Sequence, residues 1–121
     1  MSSSTSLADF VHAIDKLEVR GKNWVSFKRH FTIAVRQKEV WDHFDGTSPC
    51  PTFADPNKPT ADETKAAKEW NKAENTAMYL LSLKIPEAIL SKYEDLDTVA
   101  LMWTSISNDF QQRSLLYRTT L

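Results

Sequence analysis

The sequence predicts an all-α fold, a single compact bundle of about five or six helices. Three observations predict it. Gly21 and Gly46 are the only glycines, so hairpin turns and phosphate-cradling loops have almost no raw material. Long stretches mix charged and apolar residues without the strict alternation of a strand. Trp24, Phe27, Phe31 and Val35 recur at helical spacing and make one aromatic stripe.

Each element follows in order. Residues 1–5 read as a disordered tip, and residues 6–121 as one helical domain. Ser6 suits the cap of a short first helix, on which Phe10, Val11, Ile14 and Leu17 share a face. A turn at Gly21 delivers the chain to Asn23. Its side-chain oxygen suits the first free backbone N–H groups of a second helix, running to about Lys38. A short third helix near Lys38 to Phe44 carries Trp41 and Phe44 and stops at Asp45-Gly46.

The segment Thr47 to Pro59 contains Pro49, Pro51, Pro56 and Pro59, which prevent a continuous helix. Thr60 and Glu63 then have capping-box spacing. They open a long helix to about Leu83, with Trp70, Ala73, Ala77, Leu80 and Leu81 as its buried stripe. Pro86 suits the first position of a short helix through Ile89, Leu90 and Tyr93. Asp97-Thr98 starts the last helix, whose core face is Val99, Met102, Trp103, Ile106 and Phe110, with Tyr117 further out. The expected structural core is therefore Trp24, Phe27, Phe31, Trp70, Met102, Trp103, Ile106 and Phe110.

Composition excludes several classes. Fifteen basic and sixteen acidic residues leave a net charge of −1, unlike a dedicated nucleic-acid binder. Cys50 has no second cysteine to pair with, which fits a reducing compartment. No apolar run approaches the roughly 20 residues that span a bilayer. The opening MSSSTS lacks the basic and apolar regions of a signal peptide, and Ser2 stands where myristoylation needs glycine. The expectation is a cytoplasmic protein without membrane contact.

Catalytic and metal chemistry find little support. His12, His30 and His43 match no two-histidine helical motif, and no cysteine pair accompanies them, so they read as structural. Cys50 with His43 could be a nucleophile and base, but Cys50 lies between two prolines and nothing marks an oxyanion site. Asp62, Glu63, Glu69 and Glu74 read as the solvated face of the long helix. The four tryptophans read as core rather than a stacking cage, with Trp41 the least settled. No cofactor, no metal and no enzyme activity are expected.

Charge distribution is more suggestive. Residues 16–38 hold Lys16, Arg20, Lys22, Lys28, Arg29, Arg36 and Lys38 against few acids. Residues 42–63 hold Asp42, Asp45, Asp55, Asp62 and Glu63 against Lys58. Two solvated faces would explain this. So would head-to-tail complementarity between copies, for which Lys28, Arg29, Arg36, Asp42 and Asp45 are the candidate interface. Weak phosphate contact with RNA is a third reading.

The motifs also resemble the start of the Gag polyprotein of copia-type LTR retrotransposons. The matching residues are Leu17, Gly21, Asn23-Trp24, Trp41, Asp45-Gly46 and Pro49, then Trp70, Ala73, Ala77 and Leu81-Ser82-Leu83. A segment from Thr98 through Trp103 to Ile106, followed by Phe110, continues it, with Val99 where that family has Ala. The match runs over about residues 17 to 110.

The resemblance implies the N-terminal lobe of a Gag capsid, self-associating to build virus-like particles around RNA. RNA contact would lie mainly in regions outside this chain, since the second lobe and the zinc-knuckle cysteines are not in it. Leu115, Leu116 and Leu121 suit the start of a linker helix toward such a lobe. A piece of a longer polyprotein and a short domesticated descendant both fit. The second would serve as a Gag-derived helical protein-interaction module, with a peptide groove expected near residues 41–53.

Overall fold

The computed structural model describes residues 7–119 as six helices. They are α1 (Leu7–Ala13), α2 (Trp24–Gln37), α3 (Asp42–Asp45), α4 (Ala61–Lys84), α5 (Glu87–Leu90) and α6 (Val99–Thr119). Among the described residues there is no strand. The all-α bundle expected from the sequence is the fold observed. The expectations for residues 1–5, the Ser6 cap, the Tyr117 side chain and Leu121 lie outside the described residues.

The core is an aromatic cluster built where α2, α3 and α6 meet. Trp24, Phe27, Phe31 and Val35 are all buried, so the stripe on α2 faces inward along its whole length. Trp103 of α6 sits at the centre. Its ring stacks on Phe31 at 5.1 Å, tilts against Trp24 at 5.8 Å and meets Trp41 and Phe44 edge-on, each at 5.8 Å. Offset and edge-to-face geometries of this kind suit the ring quadrupoles better than face-to-face pairs do. Met102, Ile106 and Phe110 extend the same face, and α4 closes it with Ala77, Leu80 and Leu81. Trp70 and Ala73 are half-buried, at the edge of the α4 stripe rather than within it.

The first segment differs from the expected single helical face. Phe10 on α1 is buried, but Val11 is 40% exposed, and Ile14 and Leu17 are buried from a non-helical stretch beyond Ala13. Lys84 holds that stretch from both of its ends. Its carbonyl accepts from Leu17 N–H at 2.9 Å, and its Nζ donates to the Val11 carbonyl at 2.6 Å. Val11 belongs to the last turn of α1, where carbonyls lack intrahelical partners and a cation is favoured. A lysine at the end of an amphipathic pattern reads as solvated. Here it is buried, serving a helix 73 residues away in sequence.

The turn into α2 also departs from expectation. Gly21 has φ +80, and a Cβ there would lie 3.1 Å from Phe110 Cδ2 and 3.4 Å from Arg113 Cβ. Backbone conformation and close approach to α6 both require glycine. Asn23 is the N-cap residue of α2 by position, yet its side chain makes no cap hydrogen bond. Its Oδ1 instead accepts from Glu18 N–H at 2.9 Å, and its Nδ2 donates to the Lys16 carbonyl at 3.0 Å. Asn23 thus braces the loop that precedes it.

The third helix begins later than expected. Glu39 adopts φ +64, which ends α2, and Val40 is buried before α3 starts at Asp42. Gly46 caps α3 in the left-handed region at φ +83. Pro86 precedes α5 as its cap rather than opening it.

The capping box is formed as expected. Thr60 Oγ1 accepts from Glu63 N–H at 3.1 Å, and Glu63 Oε1 accepts from Thr60 N–H at 2.9 Å. Glu63 Oε2 also accepts from Ala54 N–H at 2.9 Å, tying the proline-rich loop to α4. Trp70 Nε1 donates to the Ser48 carbonyl at 2.7 Å and fixes the other end of the loop. Between Ala54 and the Thr60 cap of α4, residues 55–59 are exposed. Limited proteolysis should therefore cut first between Thr47 and Pro59, because exposed backbone bonded mostly to water opens most readily. Glu63→Ala should speed hydrogen exchange at Ala54 and across the first turn of α4. Unchanged exchange at Ala54 in that variant would contradict this role for Glu63.

Candidate functional site

The most distinctive exposed surface is the outer face of α2. One face of the helix is consumed by the aromatic stripe, so residues three and four apart on the other face form a ridge in solvent. That ridge is both apolar and basic. Val25 and Ile33 are 49% and 60% exposed, and Lys28, Arg29 and Arg36 stand exposed beside them. With Thr32 of the same helix and Gln111 of α6, Val25, Lys28, Arg29 and Ile33 border a shallow groove of about 520 Å³. Two of the cations lean on aromatic rings. Lys28 Nζ lies 5.9 Å from the Trp24 ring centroid, and the Arg36 guanidinium lies 5.9 Å from that of Trp41. Such contacts favour one position for each charge without neutralising it.

The acidic side of the expected interface is divided. Asp42 is exposed on α3. Asp45 accepts from the Thr47 hydroxyl at 2.7 Å and the Thr47 N–H at 2.9 Å. These bonds hold its carboxyl below the ordinary aspartate range, and the Arg36 charge adds a smaller pull. Glu63 is likewise held low by the Thr60 and Ala54 N–H groups. Both carboxyls favour the folded state above the ordinary carboxylate range, and this contribution fades as pH falls through their lowered folded values. Lys28, Arg29 and Arg36 therefore share one helix face. Asp42 and Asp45 lie on a separate element, where Asp45 is already engaged within its own chain.

Sequence reasoning missed a buried polar junction. Glu74 was expected on the solvated face of α4. Its Oε1 instead accepts from His43 Nδ1 at 2.8 Å, and its Oε2 accepts from Val99 N–H at 2.8 Å. Its side chain is only 13% exposed. Val99 is the first residue of α6, so Glu74 supplies from α4 an acceptor for its first N–H, beside the Thr98 hydroxyl that accepts from Leu101 N–H at 3.2 Å. His43 packs against the Trp70 ring at 5.1 Å between centroids. One carboxylate thus joins α3, α4 and α6. The partners lie 31 and 25 residues away, so no local spacing could have revealed them.

A second junction fixes α6 near Gly21. Arg113 donates to Asp109 at 3.2 Å and to the Val19 carbonyl at 2.8 Å, and its guanidinium covers the Phe110 ring at 4.9 Å. Tyr93 donates to Asp109 Oδ2 at 3.3 Å. Desolvation first, and then the Asp109 charge, push the Tyr93 phenol above its usual range.

His12 and His30 are exposed, and His43 serves the Glu74 junction. Cys50 is exposed, with its thiol directed to the adjacent Pro51 carbonyl. Among the described residues, no group of three or more His, Cys, Asp or Glu side chains is placed to hold a metal ion. Among them too, no helix is long and apolar enough to cross a membrane. Trp41, where a peptide groove was expected, turns inward to stack on Phe44 at 5.6 Å. No family description, curated protein or solved structure matches the chain.

Proposed function

We propose that this chain is a structural assembly subunit, a capsid-type lobe like those in the Gag polyproteins of copia-type LTR retrotransposons. In this reading it acts in the cytoplasm by binding further copies of itself, and it performs no catalysis. The observation that carries the proposal is the outer face of α2, where exposed Val25 and Ile33 lie among Lys28, Arg29 and Arg36. Apolar residues on a charged ridge can exclude water at a contact while the charges select its partner. The rigid aromatic core beneath holds that ridge in one shape. RNA contact is secondary here, because the chain has a net charge of −1.

Exposed ion pairs are each worth about 0–1 kcal/mol, so a lobe acting singly associates weakly and particles need many copies of the contact. The charge reversal K28E/R29E/R36E should abolish concentration-dependent sedimentation while leaving the helical melt intact. Equal association by the folded variant would remove the charged face from the interface.

A second reading is a Gag-derived helical module that binds partner peptides. A groove of about 290 Å³ between α1 and α2, with Phe10, Ile33 and Ala34 along it, favours this reading. Titration with other chains, rather than self-association, would be its signature.

A further inference from the structure

The α2 ridge requires a receiving surface, and the acidic stretch 42–63 supplies a poor one. Asp45 is bonded to Thr47, Asp55 accepts from Asn57 N–H at 3.0 Å, and Glu63 is committed to the capping box. Asp45 and Asp55 thus each have one carboxylate oxygen engaged within the chain, and Glu63 has both.

Another groove has the complementary character. It lies between α4, α5 and the start of α6, with a volume of about 250 Å³. Met78, Leu90, Leu96 and Met102 supply its apolar lining, and Glu87 and Glu94 stand on its rim. Methionine is unbranched and polarisable, and it adapts to the shape of an inserted side chain. Around the rim, residues 87–97 carry Glu87, Glu94, Asp95 and Asp97 against Lys92, and all five are exposed. By contrast, the chain from Arg20 to Lys38 contains no acidic residue at all. One surface is apolar and basic, and the other is apolar and acidic.

We propose that the groove between α4 and α5 receives the α2 ridge of a second copy of this chain. Val25 and Ile33 enter the methionine-lined trough, and Lys28 and Arg29 meet Glu87 and Glu94. This is helix-in-groove recognition with the helix supplied by an identical molecule. The two patches are different surfaces of one fold, so the contact is heterologous. One copy keeps a free groove and the other a free ridge, so the chain of contacts closes into a ring or continues as a filament. The inference rests on the assembly reading and names the surface on which assembly occurs.

Charge exchange between variants tests it on the full chain. One variant is K28E/R29E and the other is E87K/E94K, with circular dichroism melts to establish that each is folded. Weight-average mass is followed by light scattering as concentration rises in low salt, after ribonuclease treatment. Each variant by itself should associate about tenfold or more weakly than wild type, the scale of one to two exposed ion pairs. An equimolar mixture should recover wild-type association, because every ridge then finds a groove of opposite charge. The neutral variant E87Q/E94Q should fall between wild type and E87K/E94K.

Wild-type association with undiminished association by E87K/E94K would overturn this groove as the partner and leave the assembly reading standing. So would failure of the mixture to recover. Association that vanishes on ribonuclease treatment would mean that nucleic acid bridges the copies, and would also overturn it. A wild type that stays monomeric throughout would end the assembly reading itself, and this inference with it.

Discussion

Replacing Trp103 with alanine should be the most damaging single change in the fold. The indole touches Trp24, Phe31, Trp41 and Phe44, so its loss opens a void that four other rings line. Truncating a buried Trp costs about 3–5 kcal/mol, because lost transfer energy and cavity formation add. Domains of this size are stable by only about 5–15 kcal/mol, so the variant should lose a large share of its stability and melt well below wild type. Trp24→Ala should cost a similar amount, since Trp24 packs on Phe27, Trp103 and Phe110. Denaturant melts read both losses. Two midpoints near that of wild type would mean that the aromatic cluster does not hold the bundle together.

The second large effect is expected at Glu74. Alanine there leaves His43 Nδ1 and the Val99 N–H without their acceptor. An orphaned buried donor costs about 1–3 kcal/mol, so leaving two of them without an acceptor should destabilise by at least about 2 kcal/mol. Glu74→Gln keeps one carbonyl acceptor and should lose about half as much. Because the carboxylate links three helices, hydrogen exchange should accelerate jointly at α3 and the first turn of α6. Faster exchange confined to α4 would contradict the junction. A double variant with His43→Ala should be less than additive, since both changes break one contact.

These two residues mark what the sequence could and could not reveal. Trp103 was legible because helical geometry repeats every 3.6 residues, and Val99, Met102, Trp103, Ile106 and Phe110 keep that period over three turns. Thr60 and Glu63 were legible for the same reason, since a capping box is a relation between neighbours. Glu74, Lys84 and Asn23 were not. Glu74 and Lys84 have partners set by tertiary packing, and Asn23 turns back onto the loop before it rather than onto its helix, while their types suit a solvated face or a local cap equally well. Val11 misled because α1 ends at Ala13, so Ile14 and Leu17 reach the core from a non-helical stretch rather than from its face.

The candidate surface was half legible. The basic character of the second helix could be read residue by residue, and Lys28, Arg29 and Arg36 do share one exposed face. The acidic partner was sought nearest in sequence, where carboxylates turn out to serve turns and caps. The acids Glu87, Glu94, Asp95 and Asp97 stand together in the sequence, but the groove that Glu87 and Glu94 border exists only through how α4, α5 and α6 meet.

Sedimentation velocity of the wild-type chain, across a wide concentration range at ~0.05 M and ~1 M salt, tests the central claim most directly, because the Debye length falls to about 3 Å at the higher salt. The account predicts that the sedimentation coefficient rises with concentration at low salt and that this rise largely disappears at high salt. A single monomeric coefficient at every concentration in both salts would contradict it.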